Sequence, residues 1–330
     1  MTRTGPEAID LDSSIRSVPL TAVTEAFSHA SLELVTLPRG REVVVKRLPA
    51  DGDWLTRATG GSGRLRQLWD AGVLHRVADV VDHAILDVQV IDGADVVIMR
   101  DVSQQLLPPD VGIDSETVTR ILDELATFHA ASEGEPDAGW CTIGDRYAMF
   151  APRSMTGDDS PGRHPVADRI VAGWELFAEH SPDDIVQAVF AVHNDPTRLT
   201  EAMSGSPWTL LHGDAKPENL GLSDDGLVAI DWGELTGVGP REVDVGWFAV
   251  KAVTRAECLA DDVFELYSRA VGEPLDPMVV DLVLLGSLAQ MGFRFALGAF
   301  GNGLDRPDEA RRQLDWWTFR VGAALDYLAW

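Results

Sequence analysis

The sequence predicts an α+β chain built as two unequal lobes, a small antiparallel sheet followed by a mainly helical lobe. Three observations carry that expectation. Short apolar runs bounded by turn residues, the pattern of strands, concentrate in the first third of the chain. Beyond a proline-containing connection at Asp101–Gly112, apolar residues recur at helical spacing over long stretches. The 330 residues, 45% hydrophobic and 24% charged, exceed one ordinary core and suffice for two packed lobes.

Residues 20–30 predict a short helix. Leu32–Leu37 and Glu42–Leu48 predict strands joined by a Pro38-Arg39-Gly40 turn. A loop containing Gly60, Gly61 and Gly63 leads to Leu65, Leu68, Trp69 and Val73, spaced as in a helix. Ala84–Ile91 and Asp95–Arg100 predict two more strands about the turn pair Asp92-Gly93. The change of pattern at Asp101 divides the chain into a lobe at 1–101 and a lobe at 102–330. Ser115–Ala131 predicts a helix with Ser115 as N-cap and Val118, Ile121, Leu122, Leu125 and Phe128 on its apolar side. The stretch 132–165 has the Gly, Pro, Asp and Ser content of an insertion able to shape a substrate pocket. Helical spacing returns over 166–200 and again in 255–271, 277–299 and 307–329.

Composition excludes several functions. Cys141 and Cys258 lie far apart without a Cys/His cluster, so neither a disulfide framework nor a structural zinc site is expected, and a reducing cytoplasm is the simplest location. The opening MTRTGPEAIDLDSS has no apolar signal core, and Asp281, Ser287, Gln290 and Arg294 interrupt the apolar run near 278–300, which predicts a soluble chain. A net charge of −26 disfavours nucleic acid and anionic membranes as partners; it serves solubility and leaves cationic substrates possible. Only Lys46, Lys216 and Lys251 are lysines.

The chemistry concentrates in Trp208–Phe248. An apolar strand, Trp208–Leu211, runs into His212-Gly213-Asp214, and Pro217 keeps the next residues from continuing as a regular helix. Leu220–Leu222 and Leu227–Ile230 flank the turn Ser223-Asp224-Asp225-Gly226, which predicts a hairpin. If Leu222 faces Leu227, Asn219 faces Ile230, and Asn219 and Asp231 lie side by side with backbones on the order of 5 Å apart. An amide and a carboxylate there suit magnesium, which takes hard oxygens and keeps positions for water and phosphates. Asp214 is placed to accept a hydroxyl proton in phosphoryl transfer. Each residue alone reads as a turn or cap; the ordered set points to a kinase.

HGDAKPEN resembles the catalytic loop of the protein-kinase-like superfamily, especially its aminoglycoside phosphotransferase and choline kinase branch, and AIDW resembles the metal-binding strand end. The resemblance implies a bilobal protein-kinase-like fold with Asp214 as catalytic base, Asn219 and Asp231 as magnesium ligands, and His212 in the catalytic loop as its support or as a core histidine. Lys216 matches the serine/threonine protein-kinase form of the loop, where the lysine approaches the γ-phosphate. GPREVDVGWF is similar to a following element whose aspartate, here Asp244, buttresses the loop. Lys46 after Val43-Val44-Val45 resembles the lysine that pairs with the α- and β-phosphates of ATP or GTP. Val97–Val102 resembles the interlobe hinge, with Met99, Asp101 and Val102 at the purine edge.

The pattern also departs from that family. Residues 47–81 contain no Glu to pair with Lys46, leaving Asp51, Asp53 and Asp70. No GxGxxG is present; Phe27–Glu33 stands in its place, and Gly60-Gly61-Ser62-Gly63 reads as a flexible connector. Only a dozen residues separate Asp231 from Asp244, so a peptide platform is missing and a small hydroxylic acceptor is expected. The resemblance places that acceptor among 132–207 and the C-terminal helices, near Asp305, Glu309, Asp315, Trp316 and Trp317, although adjacent tryptophans also suit a core. The expected function is O-phosphorylation of an aminoglycoside, other antibiotic or amino sugar, hence antibiotic resistance. A kinase for a sugar, amino alcohol or nucleoside, and a silent nucleotide-binding pseudokinase, are the alternatives.

Overall fold

The computed structural model describes residues 9–20, 30–49, 54–61, 63–109, 111–135, 140–156, 165–252, 255–256, 260–301 and 307–328. The expected helix at 20–30, the Asp51 and Asp53 positions, Ser62, Cys258 and Asp305 fall wholly or largely outside these residues.

The N-terminal part carries strands β1 (Arg16–Pro19), β2 (Ser31–Thr36), β3 (Glu42–Arg47), β4 (Val81–Asp82), β5 (Ile85–Ile91) and β6 (Ala94–Met99). Five of them form an antiparallel sheet in the order β1-β2-β3-β6-β5. Alternation decides its two faces. Val43 and Val45 pack with Val35, Val96 and Ile98 in a separate apolar cluster. Lys46 and its cross-strand partner Val97 take the other face, and Val97 belongs to the main core. A lysine following three valines is thereby turned toward the rest of the molecule. The β5–β6 turn holds Asp92 and Gly93 at φ 52° and 80°, the left-handed pair whose twist suits a two-residue hairpin.

Helices α1 (Trp54–Ala58), α2 (Arg64–Asp70) and α3 (Val73–Val77) follow β3. The single helix expected through Leu65–Val73 is broken at Gly72, which sits at φ 69° and starts α3 on a new axis.

The C-terminal part begins with α4 (Ser115–Ala131), capped by Asp114 rather than Ser115: the Asp114 side chain accepts from the Thr117 amide at 2.7 Å. Next come α5 (Ile143–Ala148), α6 (Pro152–Thr156), α7 (Pro165–His180), α8 (Asp183–Asn194) and α9 (Thr197–Ala202). Strands β7 (Trp208–Leu211), β8 (Leu220–Ser223), β9 (Gly226–Ala229) and β10 (Gly237–Pro240) carry the motif segment. Helices α10 (Glu242–Ala252), α11 (Ala260–Val271), α12 (Pro277–Phe300) and α13 (Pro307–Arg320) complete the part, and the helix expected to 329 tightens into a 3-10 turn at Val321–Asp326. Among the described residues α12 alone is long and apolar enough to cross a membrane, and 83% of that stretch is buried inside the fold, where it packs against α7, α10 and α13.

Two short pairings tie the parts together. The two-residue β4 runs parallel to β9, Val81 opposite Leu227, extending the β8–β9 hairpin to three strands. The connection after β6 lies along β8, with the Leu107 amide donating to the Leu220 carbonyl at 3.0 Å and the Leu222 amide to the Gln105 carbonyl at 3.1 Å. Gly221 permits this approach, because a Cβ there would sit 2.1 Å from the Gln105 carbonyl oxygen. Gly221→Ala is therefore expected to destabilise the chain by about 1–3 kcal/mol through overpacking against backbone; an unchanged urea midpoint would contradict the pairing.

Candidate active site

The loop after β7 is held from below by one carboxylate. Asp244, in the first turn of α10 and fully buried, accepts from the His212 amide at 2.7 Å and the Gly213 amide at 3.0 Å. Burial acts to raise its pKa, but the hydrogen bond and charge of His129, then the charge of Arg146, keep it below the usual carboxylate range. His129 Nε2 lies 3.5 Å from Asp244, and its Nδ1 lies 2.6 Å from the Tyr267 hydroxyl. Gly213 takes φ 86°, and a Cβ there would fall 1.8 Å from the Leu235 carbonyl oxygen.

His212 uses both ring nitrogens on backbone. Nδ1 accepts from the Asp214 amide at 3.1 Å and Nε2 donates to the Ile230 carbonyl at 3.0 Å, fixing the neutral tautomer. Burial pushes its pKa down. The ring joins the loop to the end of β9.

Asp214 has donors on both oxygens. Oδ2 accepts from Lys216 Nζ at 2.7 Å and Asn219 Nδ2 at 2.8 Å; Oδ1 accepts from the Trp247 indole at 2.8 Å. The Asn219 amide nitrogen also donates to the Asp214 carbonyl at 3.0 Å, which turns Asn219 Oδ1 the other way. In the hairpin Leu222 faces Leu227, and the Ile230 amide donates to the Asn219 carbonyl at 2.9 Å, so Asp231 follows directly on the residue opposite Asn219.

Asp231 adopts φ 67°, unusual for a side-chain-bearing residue, and forms an ion pair with Lys46 across the gap between the two parts. Its carboxylate remains 40% exposed. Burial of its surroundings acts to raise the pKa, but the charges of Lys46 and Lys216 outweigh this and hold it at about 2. Lys216 responds in the opposite sense: burial acts to lower it, and Asp214 and Asp231 raise it. A cavity of about 150 Å³ opens here, lined by Lys46, Asp95, Asp214, Asp231, Trp232 and Glu234 among others.

The other expected positions lie apart from this cavity. Val102 is buried against Ala84 and Val228, Asp101 is exposed and accepts from the Ser103 amide at 2.9 Å, and Met99 is half-buried at the end of β6. Among the described residues the acid beside Lys46 is Asp231; Asp70 is exposed at the end of α2. On α13, Glu309 and Trp316 are half-buried and Asp315 is exposed, and none lines the cavity. Trp317 is core, stacked on Phe295 at 5.7 Å.

Three residues near Asp214 were not among the sequence candidates for this site. Trp247 sits one turn after Asp244, so one face of α10 holds both the loop and its carboxylate. Arg146 of α5 donates to the Gly213 carbonyl and lies 5.3 Å above the Trp247 ring. Lys251 Nζ lies 4.8 Å from the same ring, and burial, with the charges of Arg294 and Lys216, pushes its pKa down to about 7. The spacing 244, 247, 251 was a signal in the sequence; Arg146 had none.

Among the described residues no three His, Cys, Asp or Glu side chains gather to hold a metal. The oxygens Asn219 Oδ1 and the exposed, ionised Asp231 carboxylate are a hard donor pair that fits magnesium with water and phosphate completing its shell, and does not fit zinc.

A profile described as "Phosphotransferase enzyme family" matches residues 21–278. No curated protein matches the chain by sequence. Solved structures of similar fold include choline kinase LicA from Streptococcus pneumoniae, 14% identical over 94% of each chain at a TM-score of 0.54. A choline/ethanolamine kinase family protein from Mesorhizobium loti is 15% identical over 95% of this chain and 91% of its own, at 0.51. Spectinomycin phosphotransferase APH(9)-Ia, solved with ADP and spectinomycin, is 9% identical over 93% and 92%, at 0.51. At these identities the common property is the fold.

Two outcomes follow from the site's internal bonding. Asp244→Ala strips the acceptor from two loop amides and from His129, and is expected to cost about 3–5 kcal/mol by urea unfolding. His212, held neutral in the fold, gains a proton on unfolding. Its contribution is complete above the unfolded value of 6.5 and lost as pH falls below it. His83 and His193, both held at about 4 chiefly by burial, act in the same direction. The urea midpoint should fall steadily between about pH 7 and pH 5; a flat profile there would refute the neutral assignment.

Proposed function

The chain belongs to the phosphotransferase enzyme family and is a small-molecule kinase, and from that premise we propose that it moves the γ-phosphoryl group of ATP or GTP, with magnesium, onto a hydroxyl of a small compound. The observation that carries the reading is the Asp214 carboxylate, pinned on both oxygens, on the wall of a cavity it shares with Lys46 and Asp231.

Phosphoryl transfer asks mainly for positioning and for charge neutralisation. Asp214 orients the acceptor hydroxyl and takes its proton, and donors on both oxygens hold the carboxylate in one rotation. Lys216, beside Asp214, sits where it can meet the transferred group, and Lys46 supplies the cation for the remaining phosphates. Asn219 and Asp231 hold the metal, and the low pKa keeps Asp231 ionised throughout the neutral range. Magnesium, when bound, neutralises phosphate charge. His212 and Asp244 keep the loop in shape. The backbone at Met99, Asp101 and Val102 reads the purine edge, with 1–101 acting as the nucleotide lobe and 102–330 as the acceptor lobe.

The acceptor class expected from the sequence is an aminoglycoside, other antibiotic or amino sugar, with metabolite alcohols as the alternative. Asp214 and Asp231 on one cavity wall, with Asn219 bonded to Asp214, favour an active kinase over a silent nucleotide binder.

ADP release with magnesium should be followed across aminoglycosides, sugars, nucleosides, amino alcohols and hydroxy acids. Asp214→Asn is expected to lower kcat about 10²- to 10⁴-fold with little change in KM for ATP, and Asp231→Asn to raise the magnesium requirement. Full turnover by Asp214→Asn would remove the base assignment.

A further inference from the structure

A buried arginine of the N-terminal part reaches the loop that carries Asp231. Arg64 is the first residue of α2 and is only 3% exposed. Burying a guanidinium is costly unless its N–H groups find acceptors and an opposite charge. Arg64 finds them in two directions. On its own side Nη2 donates to the Thr59 carbonyl at 3.2 Å and Nη1 to the Thr59 hydroxyl at 3.5 Å. On the far side Nη1 donates to the Glu234 carbonyl and lies 3.9 Å from the Glu234 carboxylate. The glycine connector before α2 makes room for this side chain, because a Cβ on Gly61 would fall 2.3 Å from the guanidinium carbon.

Glu234 belongs to the turn that follows Asp231. The Thr236 amide donates to the Gly233 carbonyl at 3.0 Å; the Thr236 hydroxyl accepts from the Gly233 amide at 3.1 Å and donates to the His212 carbonyl at 3.0 Å. Those bonds join the turn to the loop of Asp214. From the N-terminal part, Lys46 meets the segment at Asp231 and Arg64 meets it at Glu234. The two ties differ in kind. On the kinase reading Lys46 goes to the nucleotide phosphates and Asp231 to magnesium, so their ion pair is exchanged for ligand contacts in each turnover. Arg64 lines no part of the cavity that holds Lys46, Asp214, Asp231 and Glu234, and its partner is a main-chain carbonyl, so nucleotide does not compete for it.

We infer that Arg64 is a positioning residue for the metal ligand Asp231: its guanidinium holds the turn after Asp231 against α2 while nucleotide engages Lys46. The inference rests on the kinase reading of the same site and adds to it a residue outside the cavity. A supporting group behind a metal ligand governs metal affinity more than acceptor affinity, since it sets the direction of one ligand and touches no substrate.

Manganese in place of magnesium tests it without turnover. The enhancement of water-proton relaxation when manganese and a non-hydrolysable ATP analogue bind the protein gives the affinity of the metal–nucleotide pair, and calorimetry in EDTA gives that of the nucleotide alone. Arg64→Gln should weaken the first about 10-fold and leave the second unchanged, with Arg64→Lys between. The magnesium concentration for half-maximal turnover should rise by the same factor at an unchanged acceptor KM. Gly61→Ala, which sets a methyl group against the guanidinium and keeps Arg64 in the chain, should act in the same direction, and it carries the test if Arg64→Gln does not fold. Gly221→Ala, at another contact between the two parts, should keep the parent's metal affinity. Parental manganese affinity in the Arg64 and Gly61 variants, or an equal loss in Gly221→Ala, would overturn the inference and leave the kinase reading standing. Absence of any relaxation enhancement with the parent protein would remove both.

Discussion

The site depends on one buried carboxylate receiving two consecutive backbone amides. A loop that turns sharply after a strand leaves its N–H groups without ladder partners, and in a dry interior each such group is costly. Asp244 satisfies those of His212 and Gly213 together. Because Asp244 is on a helix and Trp247 is one turn further along, the same rigid element fixes the loop's backbone and the rotation of the Asp214 carboxylate. Strand, loop and helix are locked in register at the atoms where chemistry is assigned, with little left to loop flexibility.

Charge provides the second constraint. Asp231 is drawn toward Lys46 from one direction and Lys216 from another, and its left-handed backbone aims it across the gap instead of along β9. The cost of that conformation is borne by the β8–β9 hairpin and by the His212 bond to the Ile230 carbonyl, which together hold the residue just before it. The Lys46–Asp231 ion pair bridges the sheet and the helical part.

Much of this was readable from residues. Alternating valines put Lys46 on the inner face, and the turn Ser223–Gly226 set the register that puts Ile230 opposite Asn219, because both depend on short-range rules of period and turn type. What escaped depends on distant partners. Strand β4 is two residues long and exists only because β9, far along the chain, lies beside it. Arg146 reaches Gly213 from a segment whose composition reads as turns, and Trp247 looks like any core tryptophan until its indole nitrogen is seen on Asp214. Trp317 takes the core place that adjacent helix tryptophans more often take, with its ring on Phe295. Ser115 and Asp114 are both good caps, and only the extended backbone at Asp114 chooses between them.

The distribution of lysine has a practical corollary. The chain has only three lysines: Lys46 lines the cleft, Lys216 bonds Asp214 on its wall, and Lys251 lies against the Trp247 ring. Reagents that acylate side-chain amines thus have few targets, and a ligand filling the cleft will shield Lys46 on its wall and Lys216 beside Asp214, so acylation at these two reads occupancy without an introduced label.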